Sequence, residues 1–89
     1  MKTIQIMVNG RVQGVCFRAY IQKKAIKLGV TGFAKNNIDG TVEIIACGDQ
    51  ENLKKFMTYC HKGSIMAKVN QVIVKEYDTN DSFAHFDVR

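Results

Sequence analysis

The chain has 89 residues, a net charge of +5, 46% hydrophobic residues and 24% charged ones. This length fits one domain, residues 1–89, that buries only about 60 to 65% of its unfolded surface, and the composition is that of a folded protein, not a disordered one. No apolar run approaches the ~20 residues that span a bilayer, and Lys2 to Gly10 is too short and too alternating for a signal peptide, so a cytoplasmic protein without membrane contact is expected.

Ile4, Ile6 and Val8 alternate with Gln5, Met7 and Asn9, the period-two pattern of a strand with one buried face. The run Asn9-Gly10-Arg11-Val12-Gln13-Gly14-Val15-Cys16-Phe17-Arg18 follows as a glycine-bearing loop. It feeds a helix whose apolar positions are Phe17, Ile21, Ala25 and Leu28, with Gly29 suited to its left-handed end. Backbone N–H groups left unpaired at a helix N-terminus, with the positive end of the helix dipole, attract an anion. Arg18 adds a planar fork of donors that matches two phosphate oxygens. Each feature alone is weak. An arginine in a first helical turn is more often solvated or paired with a carboxylate, and Gly10 and Gly14 can serve only a tight connection. Together at one strand-to-helix junction they favour an anion site.

Val30 to Asn36 reads as a second strand, Asn37 to Gly40 as a turn, and Thr41 to Cys47 as a third strand with Val42, Ile44 and Ala46 on one side. The Asp39-Gly40 pair marks a hairpin. Asp49 is a good N-cap for a second helix with the apolar stripe Leu53, Phe56, Met57 and Cys60, stopped by Gly63. A fourth strand runs from about Ala67 to Tyr77, and after a polar turn a last short strand holds Phe83, Phe86 and Val88. Strand, helix, strand, strand, helix, strand makes two split units. Right-handed crossovers then put both helices on one face of an antiparallel sheet, the ferredoxin-like βαββαβ form of α/β (α+β) sandwich.

Cys16, Cys47 and Cys60 are an odd set without paired spacing or a nearby histidine at metal-ligand spacing, so neither a disulfide framework nor a metal site is expected. Cys47 and Cys60 read as small hydrophobes. Cys16 sits where free N–H groups and Arg18 could activate a nucleophile, which makes a cysteine phosphatase a rival reading. Such enzymes place their cysteine six positions before the arginine, whereas Cys16 precedes Arg18 by two and position 22 is Gln22. A packing role for Cys16 is therefore favoured. Lys23, Lys24 and Lys27 on the first helix, and Lys54, Lys55 and Lys62 on the second, read as a solvated face before a binding stripe. His61 and His85 lie far in sequence from the loop and read as surface or packing residues.

The run Gly10-Arg11-Val12-Gln13-Gly14-Val15-Cys16-Phe17-Arg18, with Ala25, Leu28-Gly29, Gly32-Phe33-Ala34-Lys35-Asn36 and Asp39-Gly40-Thr41-Val42-Glu43, closely resembles the acylphosphatases at matching spacing over essentially the whole chain. That resemblance implies the ferredoxin-like fold and hydrolysis of acyl phosphates to a carboxylate and inorganic phosphate without metal or other cofactor. It puts the phosphate-binding arginine at Arg18 and the water-positioning asparagine at Asn36. Backbone donors come from the loop Arg11, Val12, Gln13, Gly14, Val15, Cys16 and Phe17. It further implies small acyl phosphates as substrates, inorganic phosphate as product and a monomer. Phe33 and Ala34 stand where the family usually has tryptophan and valine, and no proline follows near Gly63-Ser64; these departures bear on packing and loop rigidity. Cysteine at position 16 is a variation the family also shows.

A carboxylate leaving group, whose conjugate acid has a pKa near 4, departs at neutral pH without a general acid. The remaining work is to bind the phosphoryl group, spread its charge over donors and place one water in line. Asn36 can orient that water, but a neutral amide is no general base, so a phosphate oxygen of the substrate is read as the proton acceptor. Taken without the resemblance, Asn36 is ordinary turn chemistry. The alternative function is a basic single-stranded nucleic-acid-binding module on the same fold. It is disfavoured, because the first and third strands carry no aromatic residue on which bases could stack. No nucleic-acid partner is therefore expected.

Overall fold

A computed structural model describes residues 1–89. In chain order the elements are β1 (Lys2–Arg11), α1 (Phe17–Leu28), β2 (Thr31–Asn36), β3 (Val42–Gly48), α2 (Gln50–Lys62), β4 (Lys68–Glu76) and β5 (Phe86–Val88). The five strands form one sheet in the order β4-β1-β3-β2-β5. The first four pair antiparallel, as expected; β5 adds a parallel pair to β2, with Gly32, Phe33 and Ala34 facing Phe86, Asp87 and Val88. Only Phe86 to Val88 is strand. Phe83 stays outside it, with its ring centroid 6.0 Å from that of Phe33.

Alternation decides which side of the sheet is buried. Ile4, Ile6 and Val8 of β1 and Ile44 and Ala46 of β3 point one way and join Phe17, Ile21 and Ala25 of α1 with Leu53, Phe56 and Cys60 of α2 in a single core. Both helices thus cover one face. Asp49 caps α2 by accepting from the Asn52 N–H at 2.8 Å, and burial pushes the Cys60 thiol pKa up, so it packs as a neutral hydrophobe. On the opposite face β1 and β3 present Gln5, Met7, Glu43 and Ile45, with no aromatic ring on either strand. No helix is long and apolar enough to cross a membrane.

The register of β1 against β4 shifts between Asn9 and Gly10, a bulge immediately before the loop. Gly10 has φ +134°, and a Cβ there would lie 2.1 Å from the Lys68 carbonyl oxygen. Gly10→Ala is expected to cost about 2 to 4 kcal/mol through backbone strain and displacement of β4. Urea unfolding of the variant beside the wild type measures this, and an unchanged midpoint would show that β4 yields to the methyl group.

Candidate active site

The loop between β1 and α1 is pinned at both ends. Val12 and Phe17 are each only 1% exposed and belong to the core, while between them Gly14 and Cys16 are exposed and half-buried Val15 leans on the core. Gly14 has φ +73° and Cys16 φ +59°, the latter the one non-glycine residue with positive φ. Cys16 immediately precedes α1, whose buried stripe begins at Phe17, so its thiol is exposed and not packed as the sequence suggested. Along this stretch the one backbone hydrogen bond outside the ladders and helix interior runs from the Tyr20 N–H to the Cys16 carbonyl at 3.1 Å. The N–H groups of Gln13, Gly14, Val15 and Cys16 meet no protein acceptor, and the first turn of α1 has neither an acidic residue nor a side-chain cap. Unpaired donors and the positive helix end therefore coincide.

Two side chains clamp the loop from opposite flanks. The Gln13 Nε2 donates to the carbonyls of Asn37 at 2.7 Å and Thr41 at 2.9 Å, fastening it to the turn that follows β2. The Ser64 Oγ donates to the Val15 carbonyl at 2.9 Å and fastens it to the connection between α2 and β4. The turn itself is held by the Asn37 N–H to the Thr41 carbonyl at 2.8 Å and by Asp39, which accepts from the Thr41 N–H and Oγ. Those two bonds hold the exposed Asp39 carboxyl below its ordinary range. Ser64 supplies a restraint in a segment without proline. Neither clamp was legible in the sequence, because the partners lie 24 to 49 residues away along the chain.

Arg18 is partly exposed and pairs with no Asp or Glu side chain; the ion pairs are Lys2 with Glu76 and Lys35 with Glu43. Its Nη1 donates to the carbonyl oxygen of Arg89, whose own N–H donates to the Ala34 carbonyl at 2.8 Å. Gln22 adds a bond from Nε2 to the Phe86 carbonyl at 2.9 Å, so α1 is strapped to β5 along its length. Asn36 lies two residues beyond Ala34, on the same face of β2, and is exposed where the strand ends. Arg18 and the loop meet at the N-terminus of α1, and Asn36 stands beside the Asn37 carbonyl to which Gln13 ties that loop. A cleft of about 350 Å³ opens between Arg18 and the loop, walled by Val12, Gly14, Cys16, Arg18 and Val88, with Asn36 outside its walls. Arg11, exposed at the end of β1, faces Lys68 across the ladder and stands at the loop's entrance. His61 and His85 are exposed, on α2 and ahead of β5.

A guanidinium free of Asp and Glu side chains, four unpaired N–H groups and a strand-end amide are the donors that binding an anion calls for. The acylphosphatase family model matches residues 4–88. The chain is similar to the acylphosphatase of Bacillus licheniformis, at 46% identity over 88 residues covering 99% of this chain and 98% of that one. It is likewise similar to the acylphosphatase of Methylococcus capsulatus, at 40% over 88 residues covering 99% and 96%. Among solved structures, that of the Bacillus subtilis acylphosphatase superposes with a TM-score of 0.95 at 37% identity, covering 100% of this chain and 99% of the other. Agreement of the family model, the curated relatives and the backbone over nearly every residue leads to one conclusion: the chain belongs to the acylphosphatase family.

Proposed function

We propose that the protein hydrolyses acyl phosphates to a carboxylate and inorganic phosphate at the junction of β1 and α1. The observation that carries the reading is the row of unpaired N–H groups at Gln13 to Cys16 beside an Arg18 that no Asp or Glu side chain neutralises. These groups bind the phosphoryl oxygens and hold the charge that spreads over them as the bond to the leaving oxygen loosens. Water held by the Asn36 amide attacks phosphorus. A new P–O bond forms to the water oxygen, and the bond to the acyl oxygen breaks with its electron pair leaving on the carboxylate. The water proton passes to a phosphoryl oxygen. No step calls for a general acid, because the leaving carboxylate is already a weak base at neutral pH.

Phosphate release from benzoyl phosphate by the purified chain in excess chelator tests the reading, with turnover expected. Cys16→Ser is expected to keep activity within about twofold, since its backbone N–H, not its thiol, serves the cradle. Loss of turnover in chelator would make the reaction metal-dependent. A folded but inactive serine variant would make Cys16 a nucleophile.

A further inference from the structure

A second cleft, of about 510 Å³, adjoins the phosphate cradle and shares Cys16 and Ala19 with it. Its other walls are Tyr20 and Lys23 of α1 and Ser64 and Ile65 of the connection between α2 and β4. Positions 16, 19, 20 and 23 fall at helical spacing on one side of α1, so the cleft runs along the helix away from the loop. Ala19, Tyr20 and the fully exposed Ile65 give it an apolar lining. Burial, and then Cys60 and Tyr59, raise the Tyr20 pKa, so the phenol remains neutral. At the far end stands the exposed Lys23, which takes part in neither of the chain's ion pairs.

The sheet order puts this cleft on a particular side of the loop. Asn36 ends β2, which lies beyond β3 on one side of β1, and Gln13 ties the loop to that side. Ser64 and Ile65 lead into β4 on the other side of β1, and Ser64 ties the loop there. In-line displacement needs the attacking water and the departing group on opposite sides of phosphorus. Water at Asn36 therefore directs the acyl group toward Tyr20 and Ile65.

Building on the hydrolase reading above, we propose that the cleft between Tyr20 and Ile65 receives the acyl group and that Lys23 selects acyl phosphates whose acyl part carries a second negative charge. Cys16, whose N–H belongs to the cradle, and Lys23 lie about two helical turns apart on the cleft side of α1, roughly 10 Å along the axis. A benzoyl phosphate with a para carboxylate, measured from phosphorus to that carboxylate, comes within reach of the flexible Lys23 side chain over such a span. The surrounding charge acts in the same direction: α1 carries no acidic residue, and Glu51 is the one acidic residue on α2, against Lys54, Lys55 and Lys62.

The test compares kcat/KM for benzoyl phosphate and 4-carboxybenzoyl phosphate in the wild type, Lys23→Gln and Lys55→Gln, the last lying on α2 beside Leu28 and away from the loop. The wild type is expected to prefer the carboxylated substrate by about three- to fivefold, as for an exposed ion pair. Lys23→Gln should lose the preference through KM, with benzoyl phosphate turnover unchanged, and Lys55→Gln should keep it. No preference in the wild type would overturn the proposal, as would a preference that survives Lys23→Gln or falls equally in Lys55→Gln. Failure to turn over either substrate would instead remove the hydrolase reading on which it rests.

Discussion

Replacing Arg18 by alanine is expected to lower kcat/KM for a simple acyl phosphate by about a thousandfold, and replacing it by lysine by about a hundredfold. Two charge-assisted bonds to phosphoryl oxygens, strengthened as charge builds in the transition state, account for that size. Lysine restores the charge but offers one point donor where the guanidinium offers a fork. The strap to the Arg89 carbonyl matters here too, since it presets the arm of Arg18 from outside the phosphate. Stability should change little, because Arg18 is partly exposed and its bond to the Arg89 oxygen is open to water. Steady-state kinetics beside thermal unfolding separates the two effects. A lysine variant with near-normal kcat/KM would reduce Arg18 to a general positive charge.

The elements that frame this arginine were largely legible. Alternation of Ile4, Ile6 and Val8 and the spacing of Phe17, Ile21 and Ala25 gave the strand, the helix and the loop between them, because each element buries one face and period alone identifies that face. Phe86 and Val88 also read as strand, but a three-residue run says nothing about its partner, and the parallel pairing with β2 emerged only in three dimensions. A spacing to Arg18 that does not fit a nucleophile pointed to packing for the thiol at position 16, which instead is exposed. A positive φ at a non-glycine residue leaves no mark on composition. Arg18 was legible as a donor, but its freedom from Asp and Glu side chains was not, since that depends on charges brought near by the fold.

The same limit applies to Asn36, a residue that local chemistry would assign to the turn. Turn duty falls instead to its neighbours: the Asn37 backbone pairs with Thr41, the Asn37 side chain donates to the Thr41 Oγ at 3.1 Å, and Asp39 closes the bend. Asn36 keeps its backbone place opposite Val42 and has no side-chain hydrogen bond to protein, which leaves its amide available for a water. Asn36→Ala is therefore expected to lower kcat about a hundredfold, the loss of a positioned nucleophile. Inorganic phosphate should inhibit the variant with a Ki within about twofold of the wild-type value, since phosphate held by Arg18 and the loop draws little from a neutral amide. Inhibition kinetics on the variant decides between positioning and scaffolding. A Ki that rises in step with the fall in kcat would mean that Asn36 shapes the cradle, and the attacking water would then need another holder among the polar groups at the end of β2.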